Sequence, residues 1–227
     1  MRQFASLPSS PHQRGPLALV AMLLLLPTGA RPLSPDSAAA VEAPRSASAR
    51  LAVARPRPAL PAGDFAGAPY PITPERRALL NTIRYAEGTW LDGSAAGYRV
   101  LYGGGRFGDL RRHPEITVRN RYVSAAAGAY QFLPTTWKRA SERLGLRDFG
   151  PASQDQAALH LVEERGALGA FDRHGLSAEV LARLSSEWAS LPLPDGGSRY
   201  GQPVKSHDEL QRFFDRELQR QRRLARA

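Results

Sequence analysis

A break in composition near residue 70 limits what this chain can fold into. Residues 31–70 are dominated by Ala, Pro, Ser and Arg, as in Ala38-Ala39-Ala40 and Pro56-Arg57-Pro58, and follow neither a helical nor a strand period. Such a stretch buries too little apolar surface to offset the entropy of ordering, and it reads as a tether or disordered leader. Ahead of it lies an apolar run from Pro16 to Leu26, with Arg2, His12 and Arg14 before it and the small residues of Pro27-Thr28-Gly29-Ala30 after it. This order predicts an export signal over residues 1–30, with a short uncleaved anchor as the alternative. The run is shorter than the roughly 20 residues a bilayer span needs. One folded domain is therefore expected, over 71–227, in a protein exported to the periplasm or beyond.

That domain must cohere without disulfides, since the chain contains no cysteine. The same absence removes iron–sulfur clusters, zinc-ribbon sites, thiol catalysis and lipoprotein attachment. A hydrophobic fraction of 42% suffices for a packed core instead. The net charge of +10 invites a nucleic-acid reading, but residues 1–70 carry +4 of it, residues 212–227 another +4, and the body between only about +2. The near-neutral body of the domain gives no electrostatic argument for nucleic acid.

Within the domain, Thr73-Pro74-Glu75 predicts a helix start, with Thr73 as N-cap and Pro74 in the first turn. Leu80, Ile83 and Glu87 then share one face, and Gly88 supplies the stop. Strand-like pieces follow at Tyr98–Tyr102 and at Ile116–Val123, around a Gly103-Gly104-Gly105 turn. Helices are predicted from Pro134, from a cap at Ser153 with Gln156 three residues on, from Ser177, and from Ser206 to about Leu224. In the last, Glu209 completes a capping box. The order gives an α+β fold, mostly helical with a small β region.

Glu87 is the candidate for chemistry, because its setting raises its pKa. It lies on the apolar face of its helix, where desolvation disfavours the charged form, and in the last turn, where the helix end carries partial negative charge. A glutamic acid still protonated near neutral pH is what a glycosidase general acid requires. The plainer reading is a glutamate that marks a helix end in solvent. The segment Ser124 to Gln131 favours the first. Its small residues let a carbohydrate approach the backbone, Tyr130 offers a stacking face, and Gln131 an amide for sugar hydroxyls or an N-acetyl group.

With these blocks in view, the chain resembles the lambda-type phage lysozymes, endolysins that act as lytic transglycosylases on peptidoglycan. The resemblance runs from about Pro74 to the C-terminal helix. It rests on Tyr85-Ala86-Glu87-Gly88-Thr89, Gly97-Tyr98, His113-Pro114, Ser124 with Gly128, Tyr130 and Gln131, Glu164-Arg165-Gly166-Ala167-Leu168, and Trp188-Ala189-Ser190-Leu191-Pro192 leading to Tyr200-Gly201-Gln202. Two positions depart from the family pattern, Ala126 where glycine is frequent and Ala129 where a polar residue is common. The resemblance implies a lysozyme-like fold, a single catalytic acid at Glu87, and a glycan cleft between that helix and the β region. Tyr98, Ser124, Tyr130 and Gln131 are the substrate-binding residues it implies. No cofactor and no metal is expected, and glycan strands of peptidoglycan are the expected partner of a monomer.

The implied reaction uses one carboxylate rather than the usual two. Glu87 protonates the bond between N-acetylmuramic acid and N-acetylglucosamine, then deprotonates the C6 hydroxyl that closes a 1,6-anhydro ring. Asp92, Asp109 and Glu115 are the other nearby acids, and Asp92 before Gly93 reads as a turn residue. The alternatives are a hydrolytic muramidase and a non-catalytic wall-binding module. Of the tryptophans, Trp137 and Trp188 are expected in the core, while Trp90 fits either core or sugar platform. His113 before Pro114 is expected to be structural. The C-terminal helix presents Arg212, Arg216, Arg220, Arg222 and Arg223 opposite a Leu210, Phe213, Phe214, Leu218 stripe, as a solvated face or as a weak contact for an anionic wall or membrane surface.

Overall fold

In a computed structural model, residues 68–120 and 122–227 are described; the expected signal and nearly all of the leader lie outside them. Among the described residues six α-helices carry the domain: α1 Pro74–Ala86, α2 Pro134–Leu144, α3 Pro151–Glu164, α4 Leu168–His174, α5 Ala178–Leu184 and α6 His207–Leu224. The β region is one antiparallel pair of two-residue strands, β1 Val118–Arg119 and β2 Val123–Ser124, with Val118 opposite Ser124.

The local signals at α1 act as expected. The Thr73 hydroxyl accepts from the Arg76 amide at 3.2 Å. Gly88 leaves the helix at φ +72°, and the Thr89 amide closes the end on the Arg84 carbonyl at 2.9 Å. From Ala78 onward α1 is buried on nearly every side. Its neighbour is α6, which runs antiparallel along it: Arg222 pairs with Glu75 at 3.0 Å, Asn81 donates to Glu217 at 2.8 Å, and Phe213 stacks on Tyr85 with centroids 4.1 Å apart. The apolar stripe of α6 thereby becomes half the wall around α1, with Leu210 and Phe214 buried. Only half of the expected capping box forms: Ser206 accepts from the Glu209 amide at 3.2 Å, while the Glu209 carboxylate turns away to accept from the Tyr85 hydroxyl at 2.7 Å and from Lys205 at 2.9 Å.

Three further expectations are corrected. The third predicted helix starts earlier than Ser153. Gly150 is its N-cap and Pro151 its first residue, and the Ser153 hydroxyl donates to Asp148 at 2.7 Å instead of capping. Tyr98–Tyr102 is not a strand: single-turn 3-10 segments at Ala95–Arg99 and Tyr102–Gly104 leave only isolated bridges, Val100 with Arg106 and Leu101 with Ala127. A separate short helix, α4, stands where none was predicted.

The core is continuous. Phe107, Phe132, Trp137 and Phe149 form an aromatic group against α2, with Trp137 and Phe149 centroids 4.5 Å apart. Leu79, Leu80 and Ile83 of α1 belong to the same continuous core as Leu159 and Leu161 of α3, Leu184 of α5 and Trp188. Trp137 and Trp188 are thus core residues, as the sequence implies. Through Gln154, α3 also holds the segment that faces α1. Gln154 accepts from the Ala129 amide at 2.8 Å and donates to the carbonyls of Tyr98 at 3.1 Å and Phe149 at 2.7 Å. Gly128 turns there at φ +83°, and a Cβ on it would sit 2.3 Å from the Gln154 amide oxygen, so only glycine fits.

Candidate active site

Glu87 is the C-cap of α1, and its exposure is 0%. One carboxylate oxygen, Oε1, accepts from the Ser190 hydroxyl at 2.5 Å. The other, Oε2, has no hydrogen-bond partner among the described residues. Burial pushes the Glu87 carboxyl up to about 7, and the Ser190 hydrogen bond pulls it partly back by favouring the ionised form. The solvated helix-end reading is thereby excluded. A carboxyl poised there changes protonation within the range where enzymes work.

Ser190 reaches Glu87 from the turn that follows α5. That turn is fixed by Trp188, whose indole N–H donates to the Tyr130 carbonyl at 3.1 Å, and by the Gln202 amide on the Ala189 carbonyl. The sequence offers Ser190 only as one letter of Trp188-Ala189-Ser190-Leu191-Pro192; a partner 103 positions away leaves no local trace.

Two of the other expected site residues converge on Asp155 of α3. Tyr98 and Tyr130 both donate to Asp155 Oδ1, at 2.8 and 2.5 Å, while Arg77 pairs with Oδ2 at 2.6 Å. Burial, then the Asp155 charge, raises both phenols above their ordinary range. Tyr130 is 1% exposed and Tyr98 6%, with the Arg84 guanidinium 4.5 Å over the Tyr98 ring. The stacking face expected of Tyr130 is therefore corrected: its ring is enclosed by the core. The N–H groups of Gln131 are likewise committed, donating to Val100 O at 3.2 Å and Gly128 O at 3.0 Å, and Gln131 is held at φ +48°. Ser124 accepts from the Ala126 amide at 3.1 Å.

The remaining acids stand apart. Asp109 is exposed and paired with Arg111, which holds its carboxyl down at about 2. Asp92, exposed at φ +53°, lies across from α6. No second carboxylate among the described residues contributes to the Glu87 shift. Nor do these residues contain a group of three His, Cys, Asp or Glu able to hold a metal. His113 is structural: its ring bridges the Phe132 carbonyl at 2.9 Å and the Glu115 amide at 3.1 Å, so Nε2 carries the proton. Trp90 is half-buried, edge-on to Phe213 at 5.5 Å.

A mostly helical α+β domain with a small β region, holding a desolvated carboxylic acid at the end of its first helix, defines the class of lysozyme-like glycosidases. Comparison with known proteins takes the chain further. A family model for Endolysin matches residues 77–220, and the chain belongs to this family of peptidoglycan-cleaving enzymes. It is 39% identical to the endolysin of Escherichia phage lambda over 144 residues, covering 61% of this chain and 88% of that one. To the endolysin of Escherichia phage P2 it is 37% identical over 111 residues, covering 46% and 64%. A solved structure of bacteriophage lambda lysozyme complexed with a chitohexasaccharide is similar at TM-score 0.58 and 36% identity, across 65% of this chain and 96% of that one.

Proposed function

We propose that this chain is a lytic transglycosylase, cleaving the β-1,4 bond between N-acetylmuramic acid and N-acetylglucosamine through Glu87 alone. The observation that carries the reading is a fully buried carboxyl pushed up to about 7. A group with its pKa near working pH is suited both to give a proton and to take one back.

Glu87 gives its proton to the glycosidic oxygen as the bond from C1 breaks. The carboxylate left behind takes the proton of the muramic C6 hydroxyl, whose oxygen closes on C1. The product is a 1,6-anhydro end, no water is consumed, and Glu87 finishes protonated as it began. Between the two transfers the Ser190 hydroxyl stabilises the carboxylate through Oε1, which leaves the unpartnered Oε2 to exchange the proton. Because Glu87 has no exposed surface, the glycan reaches it only after the surrounding wall parts. In this reading Tyr98, Ser124, Tyr130 and Gln131 set the shape of that wall. The chitohexasaccharide in the lambda lysozyme complex supports a glycan strand as the partner, and the N-terminal apolar run supports export to meet it.

The test is product analysis on purified sacculi. Mass spectrometry is expected to find 1,6-anhydromuramic ends; reducing muramic ends would replace this reading with hydrolysis. Glu87→Gln is expected to lower the rate by about 100-fold or more, the usual weight of a general acid. A variant that lyses sacculi as well as the parent would remove Glu87 from the chemistry.

A further inference from the structure

A groove of about 400 Å³ between α6 and the Trp90–Gly93 loop takes no part in the chemistry above. Arg216, Arg220 and Arg223 line one side of it, and Trp90 and Asp92 the other. The three arginines fall at i, i+4 and i+7, so one face of α6 presents all three guanidiniums. Arg220 lies 5.8 Å over the Trp90 ring and 3.4 Å from Glu217. Glu217 itself is 5% exposed and turned inward, accepting from Asn81 at 2.8 Å and Gln221 at 2.5 Å. Arg216 and Arg223 have no carboxylate partner among the described residues. Like charges on successive turns of one helix repel, and an anion between them relieves that repulsion.

We infer that this groove binds the acidic peptide arm of peptidoglycan, its carboxylates on Arg216, Arg220 and Arg223 and its ammonium on Asp92. The inference rests on the reading that a glycan strand lies at Glu87. A wall peptide carries several carboxylates and an amino group on a short flexible chain, and the groove offers the complementary set. Guanidinium forks take carboxylates two hydrogen bonds at a time. Asp92 is what separates this occupant from a phosphate polymer or anionic lipid surface, which it would only repel. Reach is sufficient: Trp90 lies three positions after Glu87, so their Cα atoms are within about 11 Å, while a peptide of four or five residues extends roughly 13–18 Å.

The experiment uses the full chain and the free peptide arm released from sacculi by an amidase, in about 0.15 M salt, where long-range attraction is screened. Titration is expected to give a saturable change in tryptophan fluorescence that Trp90→Phe abolishes. The double variant Arg216→Gln, Arg223→Gln is expected to weaken it about tenfold or more, two charge-assisted contacts being lost. On peptide-bearing glycan the double variant is expected to raise KM about tenfold with kcat unchanged, and on peptide-stripped glycan to match the parent within about twofold. An equal rise in KM on both substrates, the absence of saturable binding, or equal competition by inorganic phosphate would each overturn the assignment. If the parent cleaves neither glycan, the reading of Glu87 fails, and the titration still decides the groove.

Discussion

Replacing Glu87 with glutamine should lower the rate by about 100-fold or more and at the same time make the fold more stable above neutral pH. The folded carboxyl is pushed from its ordinary 4.5 up to about 7 by burial. Below pH 4.5 the group is protonated in both folded and unfolded chains, and its burial adds no pH-dependent cost. Between 4.5 and 7 the unfolded chain releases the proton while the folded one retains it, so stability falls as pH rises, by about 1.4 kcal/mol per unit. Above about pH 8 the accumulated penalty is complete, at about 3 kcal/mol. Glutamine is neutral throughout and keeps a carbonyl to accept the Ser190 hydroxyl, so it escapes the penalty without losing that contact. For a domain of this size 1 kcal/mol moves Tm by roughly 2–4 °C. The variant should therefore gain roughly 6–12 °C on the parent at pH 8.5 beyond its advantage at pH 4. Thermal unfolding of both proteins at both pH values measures this difference of differences, in which every other titrating group cancels. An advantage that is the same at pH 4 and pH 8.5 would refute the raised pKa, and with it the main physical support for Glu87 as acid and base.

Removing the hydroxyl at Ser190 acts in the opposite sense on the chemistry. Ser190→Ala deletes the bond that favours the carboxylate, worth about 1.5–3 kcal/mol for a charged partner, so the alkaline limb of the rate profile on sacculi should move up by about 1–2 pH units. A limb that stays in place would make Ser190 a packing residue only. Gly128→Ala forces a side chain onto the Gln154 amide at a positive φ and should cost about 3 kcal/mol or more, read from the urea midpoint. Asp155→Ala leaves Arg77 without its partner and two buried phenols without an acceptor; a loss of about 3 kcal/mol is expected, with Asp155→Asn recovering part of it.

The parts legible in the sequence are those where a side chain meets its own neighbourhood. Thr73, Pro74 and Gly88 bound α1 because caps and stops act within four residues, and Ser206 with Glu209 opens α6 for the same reason. The burial of Glu87 follows from its place on the α1 face. What escaped reading depends on partners far along the chain. Ser153 looks like a cap until Asp148 claims its hydroxyl and Pro151 starts the helix earlier. Tyr130, set among alanines and a glycine, looks like a ligand platform until Asp155 on α3 and the surrounding core enclose it. The alternation at Tyr98–Tyr102 resembles a strand, but the chain curls into 3-10 turns and pairs only in single bridges.

The antiparallel embrace of α1 by α6 has a temporal consequence. During synthesis the ribosome delivers the Glu87 helix more than a hundred residues before the helix that covers its other side, and Phe213, Phe214 and Leu210 must all emerge before that side is sealed. Contacts so distant in sequence form late in folding. A partly made chain thus carries the Glu87 helix without the Leu210, Phe213 and Phe214 wall that encloses it, and the first helix of the domain waits on the last for its cover.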